Sequence, residues 1–292
     1  MKNNQSRLIK LLIALLAVFA IFFLKNELPK YLPQKTNQPF SSLKKNQISE
    51  IVLTKDKTTH IYKKDKALYV KKEDDEFLAD NERINKIIES FINLKKESVV
   101  SSNKNKHREL GIDKQKIELK TEEKIYVVYI GSTSGLSNNY VRINNEDNAF
   151  VAEGFNDVFT PDDYRDLSVH FVSDEAKITS IEIDSELEKI FLTKEKSDWK
   201  IDNKIAKKDR VDFFINDLKT LKAKDIFSKE KVIPVVKTLS IKIKEVGKEK
   251  TIAFYLQDEN NYLAKTSISE YIYQIPAAYV ASLKKEEKDF LQ

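Results

Sequence analysis

From Leu11 to Leu24 the chain reads Leu-Leu-Ile-Ala-Leu-Leu-Ala-Val-Phe-Ala-Ile-Phe-Phe-Leu, with no polar residue. In hydrocarbon there is no water to satisfy backbone amides, so such a run is stable there only as a helix bonded to itself. Leu8 and Ile9 extend it once Lys10 snorkels its amine to the headgroups. The segment Leu8–Leu24 then offers roughly 17 residues, about 26 Å of helix, against a hydrocarbon core of about 30 Å. It is expected to span with little tilt or with local thinning of the bilayer. The lipid bilayer is therefore the first predicted partner, through Leu8–Leu24. A cleaved signal peptide is the competing reading, because Lys2, Arg7 and Lys10 make a basic leader. The run, however, ends Phe22, Phe23, Leu24, Lys25, Asn26, Glu27, without a small-x-small cleavage site. With no cysteine, a lipoprotein anchor is excluded. An uncleaved single-pass anchor is expected.

Basic residues flank the run almost evenly, Lys2, Arg7 and Lys10 before it and Lys25, Lys30 and Lys35 after it. The very short tail, residues 1–7, is assigned to the cytoplasm, because long domains translocate largely regardless of charge. The expected location is the inner membrane, N-terminus inside and body periplasmic. Residues 25–47 read as a linker, with Pro29, Pro33 and Pro39 among Lys, Asn, Gln and Ser. Such segments favour extended conformers of about 3.1 Å per residue.

The body from Ile48 onward is charged but not greasy-poor. The chain is 41% hydrophobic and 33% charged, and its 51 basic against 46 acidic residues leave a net +5. So small and dispersed an excess gives no clustered basic face, and nucleic acid is not an expected partner. Zero Cys removes disulfides and thiolate chemistry.

Period-two patterning predicts strands at Ile48–Leu53, around His60 and Tyr62, and around Leu68 and Val70. The period then changes. Ile84, Ile87, Ile88, Phe91, Ile92 and Leu94 make one face of a helix capped by Asp80 or Asn81. Strands resume at Ile117–Leu119, Ile125–Ile130, Tyr140–Ile143 and Phe150–Val151, with Gly131–Gly135 and Asn144–Asn148 as turns. A short helix or two turns is expected over Phe155–Leu167. The order then begins again: Ile178–Ile183, Ile190–Leu192, Trp199–Ile201, and a helix with Asp209 as cap and Val211, Phe214, Ile215, Leu218 and Leu221 on one face. Arg83-Ile84 falls on Arg210-Val211, Ile88 on Ile215, Phe91 on Leu218 and Leu94 on Leu221. Strands at Leu239–Ile243, Ile252–Leu256, Tyr262–Leu263 and Tyr271–Ile275 repeat the later ones, and Pro276 opens a last helix at N1. The repeat period is about 125–130 residues. The expected fold is α+β: the transmembrane helix, then two tandem, similar units, residues 48–172 and 173–292, each a mostly antiparallel sheet covered by its amphipathic helix.

Reactive constellations are scarce. The five glycines, Gly111, Gly131, Gly135, Gly154 and Gly247, form no G-x-G-x-x-G fingerprint, and Gly131–Gly135 lacks the Gly-Lys-Ser/Thr tail of a phosphate loop. His60, His107 and His170 are far apart, with no carboxylate at ligand spacing, which disfavours zinc. Asp166, Ser168 and His170 sit too close in sequence to act as a triad, whose members come from different elements. They read as a polar connector. Asp74-Asp75-Glu76 reads as a solvated hairpin and Asp162-Asp163 as the start of a helical turn, neither in a calcium loop. Trp199, the single tryptophan, reads as core, with a ligand platform as the sharper alternative. No catalytic, cofactor-binding or metal residue is assigned, and no cofactor is expected.

Certain short motifs resemble the DUF4340 family of bacterial membrane-anchored proteins. They are Ala79-Asp80 ahead of Ile84, Ile87, Ile88, Phe91 and Leu94; Leu110-Gly111-Ile112; Tyr129-Ile130-Gly131; Tyr140-Val141-Arg142; and Tyr164-Arg165-Asp166-Leu167. In the second unit they are Trp199-Lys200-Ile201 and Val211–Leu221, with Lys207-Lys208 before Asp209 and no Leu-Gly-Ile counterpart. The resemblance implies an N-terminal membrane segment and duplicated β-rich units. It also implies a neighbourhood of ABC transporter subunits of the gliding-motility auxiliary type, but it supplies no catalytic residue. The leading expectation is a non-enzymatic, membrane-anchored accessory protein, with ABC transporter subunits as partners. The alternative is an envelope ligand-binding module for a cell-wall polymer or small solute. A hydrolase with an unfamiliar site is the third reading.

Overall fold

Alternating apolar and polar residues build two antiparallel sheets of nine strands each, and few helices. The computed structural model describes residues 37–160, 163–245 and 247–291. The predicted tail, the Leu8–Leu24 span, the linker up to residue 36, and Asp162 lie outside the described residues. Among the described residues no helix is long and apolar enough to cross a membrane.

The first sheet contains β1 (Glu50–Thr54), β2 (Thr58–Lys64), β3 (Ala67–Lys72), β4 (Asp75–Leu78), β5 (Val99–Ser101), β6 (Gln115–Lys120), β7 (Ile125–Thr133), β8 (Asn138–Ile143) and β9 (Ala149–Glu153). Their order is β4-β3-β2-β1-β6-β7-β8-β9-β5. Helix α1 (Asn81–Ile92) lies between β4 and β5 in the chain. The second sheet contains β10 (Ile178–Ser185), β11 (Lys189–Glu195), β12 (Asp198–Ile201), β13 (Lys204–Ala206), β14 (Asp225–Phe227), β15 (Lys237–Glu245), β16 (Lys248–Leu256), β17 (Asn261–Thr266) and β18 (Ile272–Pro276). Its order is β13-β12-β11-β10-β15-β16-β17-β18-β14. Helix α2 (Lys208–Lys219) follows β13, and α3 (Ala277–Leu283) and α4 (Glu287–Leu291) follow β18. The two orders are one order, each strand of the first sheet answered by the strand nine places later. By contacts the chain divides into residues up to Lys72 with Asn81–Tyr164, and Glu73–Asp80 with the residues from Arg165 on.

Within each sheet the central strands are paired on both edges, so their inward side chains leave water completely. Ile51 on β1 pairs with Ile61 on one side and Leu119 on the other. Ile181 on β10 pairs with Leu192 and Ile243 in the same way. All six are buried, and each such side chain contributes about 1.5–3 kcal/mol relative to exposure. The helices bury the stripes their period predicts: Ile84, Ile87, Ile88 and Phe91 on α1, and Val211, Phe214, Ile215 and Leu218 on α2. In the second unit that stripe shares one core with Ile181, Leu192, Trp199 and Ile241.

Several expectations change in detail. Phe40 and Leu43, placed in the linker by sequence, are buried, with the Phe40 ring 4.5 Å from Phe91 and 5.8 Å from Tyr126. An aromatic ring between helix and sheet removes enough apolar surface from water to hold that segment on the body. β7 runs through Gly131 to Thr133, so the turn begins only at Ser134. Residues 156–159 form turns and no regular helix. Asp209 lies inside the first turn of α2, whose N-cap is Lys207 without a side-chain cap, so its carboxylate meets the helix dipole instead. Pro276 is the N-cap of α3 and the last residue of β18, one place earlier than N1.

Candidate functional site

The short motifs turn out to be structural fastenings. Gly111 has φ +70°, a left-handed conformation that suits glycine. It faces Ser132 on β7, whose N donates to Leu110 O at 2.8 Å. A Cβ on Gly131 would stand 2.3 Å from Leu110 O and 2.9 Å from Ile112 Cγ1. The Leu-Gly-Ile loop can lie on β7 only because the strand has no side chain there. On the neighbouring strand Arg142 pairs in register with Tyr129 and stacks on its ring at 3.7 Å, while its Nη1 donates to Asn144 O. Arg83 on α1 stacks on the Tyr164 ring at 4.3 Å and donates to Asp163 O and Val158 O; the Tyr164 hydroxyl donates to Val158 O as well.

In the second unit Arg165 is buried. Its Nη2 donates to Asp225 Oδ1 at 2.6 Å, its Nη1 to Ile226 O at 2.8 Å, and its guanidinium sits 5.2 Å from the Phe77 ring centroid. Phe77 also meets Tyr271, whose hydroxyl donates to Glu76 O. A second buried polar cluster centres on Lys250, which donates to Glu245 Oε2 (2.7 Å), Ser173 Oγ (2.5 Å) and Phe171 O (3.3 Å). Burial works to raise the Glu245 pKa, but Lys250 and the Ser173 backbone N–H outweigh it and hold it below the ordinary glutamate value.

The structure brings Asp166, Ser168 and His170 together, but in the wrong order for a triad. His170 Nε2 donates to Asp166 Oδ2 at 2.7 Å, and Ser168 N donates to Asp166 Oδ1 at 2.9 Å. The carboxylate is thus the hub, whereas nucleophile activation needs the imidazole between serine and carboxylate. Burial pushes the Asp166 pKa up, and the hydrogen bonds from His170 and Ser168 pull it below the usual value. His60 Nδ1 donates to Glu50 Oε1 (2.7 Å) and Lys120 Nζ to Glu50 Oε2 (2.9 Å), a cross-strand triplet on β2, β1 and β6. Here too burial raises the carboxylate pKa and the two donors more than reverse it. His107 is buried, its Nε2 donating to Asp147 O. Among the described residues no group of three or more His, Asp and Glu converges as metal ligands would. Trp199 is core, 2% exposed. Asp75 and Glu76 open β4 after an exposed hairpin turn.

Each unit carries a hollow among its described residues. The second unit's is about 330 Å³ and is lined by Arg210, Asp217, Lys285, Lys288 and Asp289 around Phe213, Phe214 and Phe290, so its charges are of both signs. The first unit's hollow is an apolar groove of about 380 Å³. Ile48, Ile51, Leu68 and Ile88 supply its apolar lining, Lys45, Lys63 and Lys66 its cations, Glu50 its one carboxylate, and Asn46, Asn81 and Asn85 its amides. Register places Lys63 and Leu68 opposite each other on β2 and β3. The groove was not singled out from the sequence. The available signal was Leu68 standing where the second half of the repeat has Trp199.

Two nine-stranded antiparallel sheets of one strand order, each with an amphipathic helix between its fourth and fifth strands in chain order, define a two-sheet α+β protein. It belongs to the family described as domain of unknown function DUF4340, whose model matches residues 70–238. That span includes the Leu110–Ile112 loop on Gly131 and Ser132, the Arg142–Tyr129 stack and the Arg165–Asp225 pair. Comparisons with curated proteins and with solved structures gave no match.

Proposed function

We propose that the chain is a single-pass, membrane-anchored, non-enzymatic accessory protein of the cell envelope. Its body lies on the extracytoplasmic side and engages subunits of an ABC-type transport complex. The observation that carries this reading is the uninterrupted apolar run Leu11–Leu24 directly ahead of a charged, β-rich body. Family membership supports it, and so does the exposure of Val232, Val235 and Val236 in the segment between β14 and β15. Apolar side chains gathered at a surface mark contact sites. The test is co-purification of the tagged full chain from gently solubilised membranes. Transporter subunits are expected with it, and recovery as a lone polypeptide would contradict the role.

A second reading, an envelope ligand-binding module for a small solute or wall fragment, is favoured by the apolar groove of the first unit. A thermal-shift screen of the full chain with muropeptides and small solutes tests it. A raised unfolding temperature is expected with at least one class.

A further inference from the structure

The groove marks the place where the two units differ in filling. The ladders that set Leu68 opposite Lys63 set Trp199 opposite Lys194. By the same registers Ile51 answers to Ile181, and equal distance from the helix start puts Ile88 at Ile215. Ile181, Trp199 and Ile215 all belong to the second unit's core. An indole therefore occupies there the volume that Leu68 leaves open in the first unit. Lys194 lies 5.6 Å from the centroid of that indole. Its counterpart Lys63 borders an open groove of about 380 Å³, within the size range of small-molecule sites.

The charged lining is mostly cationic, three lysines against one carboxylate. Lys45, Lys63 and Lys66 make no side-chain hydrogen bond or ion pair with any described residue, and neither do the amides of Asn81 and Asn85. Glu50 is the one carboxylate in the lining, and His60 and Lys120 already occupy both its oxygens. Lysines elsewhere on this surface do find acids, as Lys86 finds Glu82 and Lys96 finds Glu146. An apolar trough bordered by three unmatched ammonium groups and by free amides complements a molecule with a short greasy chain and an anionic head.

We propose that this groove binds a single-chain amphipathic anion. Its alkyl part lies against Ile48, Ile51, Leu68 and Ile88, and its carboxylate or phosphate head lies among Lys45, Lys63 and Lys66. The inference rests on the second reading above and adds the chemical class of the ligand. Each methylene buried there raises affinity about fourfold, so affinity climbs with chain length until the groove is full.

The experiment is photolabelling of the full chain in its native membranes with a diazirine-bearing decanoate, followed by peptide mapping. Label is expected on peptides carrying Ile48–Ile51 and Leu68. Decanoate and decyl phosphate compete for it, and uncharged decanol competes weakly. Leu68→Trp, which copies the filling of the second unit, abolishes the groove label. Lys45→Gln with Lys63→Gln and Lys66→Gln lowers it about tenfold, the sum of several weak surface ion pairs, and is the arm that holds if the tryptophan variant does not fold. Label scattered over the surface and unmoved by either variant overturns the site. Groove labelling by a photoreactive phosphatidylglycerol but not by the decanoate overturns the single-chain assignment. Equal competition by decanol overturns the anion preference and leaves the ligand-binding reading standing. A thermal shift with a neutral solute and no groove label would likewise separate the two.

Discussion

Gly131 illustrates how much of this protein is decided by single atoms. Any side chain there meets the carbonyl of Leu110, which the Ser132 amide already holds in place. Gly131→Ala is therefore expected to destabilise the chain by about 1–3 kcal/mol through overpacking, read as a lower urea midpoint at unchanged slope. Arg165 sets a second case. Because its guanidinium is buried and donates to Asp225 Oδ1 and Ile226 O, Asp225→Ala removes one charge-assisted hydrogen bond and should cost about 1.5–3 kcal/mol in chemical denaturation. Glu245 carries a pH dependence of definite sign. Its folded pKa is depressed, so its stabilising contribution is whole above the unfolded value of about 4.3 and is lost as pH falls through the folded value. Acid titration of the thermal midpoint should steepen below that point, and Glu245→Gln should flatten it. At this scale the sequence identified Gly111, Gly131, Tyr164 and Arg165 as motif members but not their partners. Gly111 and Gly131 are joined through space by a loop laid on a strand, and no short-range pattern encodes that contact.

The elements were more legible, in proportion to their length and period. Both long helices occur where the 3.6-residue stripe put them, and the same interval separates Asn81 from Lys208 and Ile92 from Lys219. The alignment of Ile88 with Ile215 and Phe91 with Leu218 therefore reflects one helix phase used twice. Four short strands escaped notice: β4, β5, β13 and β14, of three or four residues each. A period of two needs more residues than that to emerge, and these strands owe their pairing to the sheet edge they extend. The missing Leu-Gly-Ile counterpart in the second unit also has a physical reason. By the ladders to the preceding strand Tyr255 stands at the place of Gly131, so the second unit carries a side chain where the first is bare. Phe91 links helix and sheet through Phe40, and Phe91→Ala should cost about 3–5 kcal/mol by leaving a cavity. Loss of far-UV circular dichroism at lower urea is the readout, with Trp199 fluorescence reporting the second unit.

At the scale of the whole molecule, one strand order is used twice, and the two copies were then filled differently. Trp199 closes in one what Leu68 leaves open in the other. The α+β class and the two sheets could be foreseen from alternation and repeat period. The groove needed the register as well, because the size difference between Leu68 and Trp199 counts only once the two positions are known to be equivalent. The proposed role joins this body to a bilayer through Leu8–Leu24, whose uninterrupted hydrophobicity is a solvation argument independent of the sheets. The most direct measurement is an alkaline carbonate wash of membranes bearing the full-length chain. Retention of the intact polypeptide in the bilayer pellet is predicted. Its release into the supernatant at full length would contradict the anchor and, with it, the envelope role.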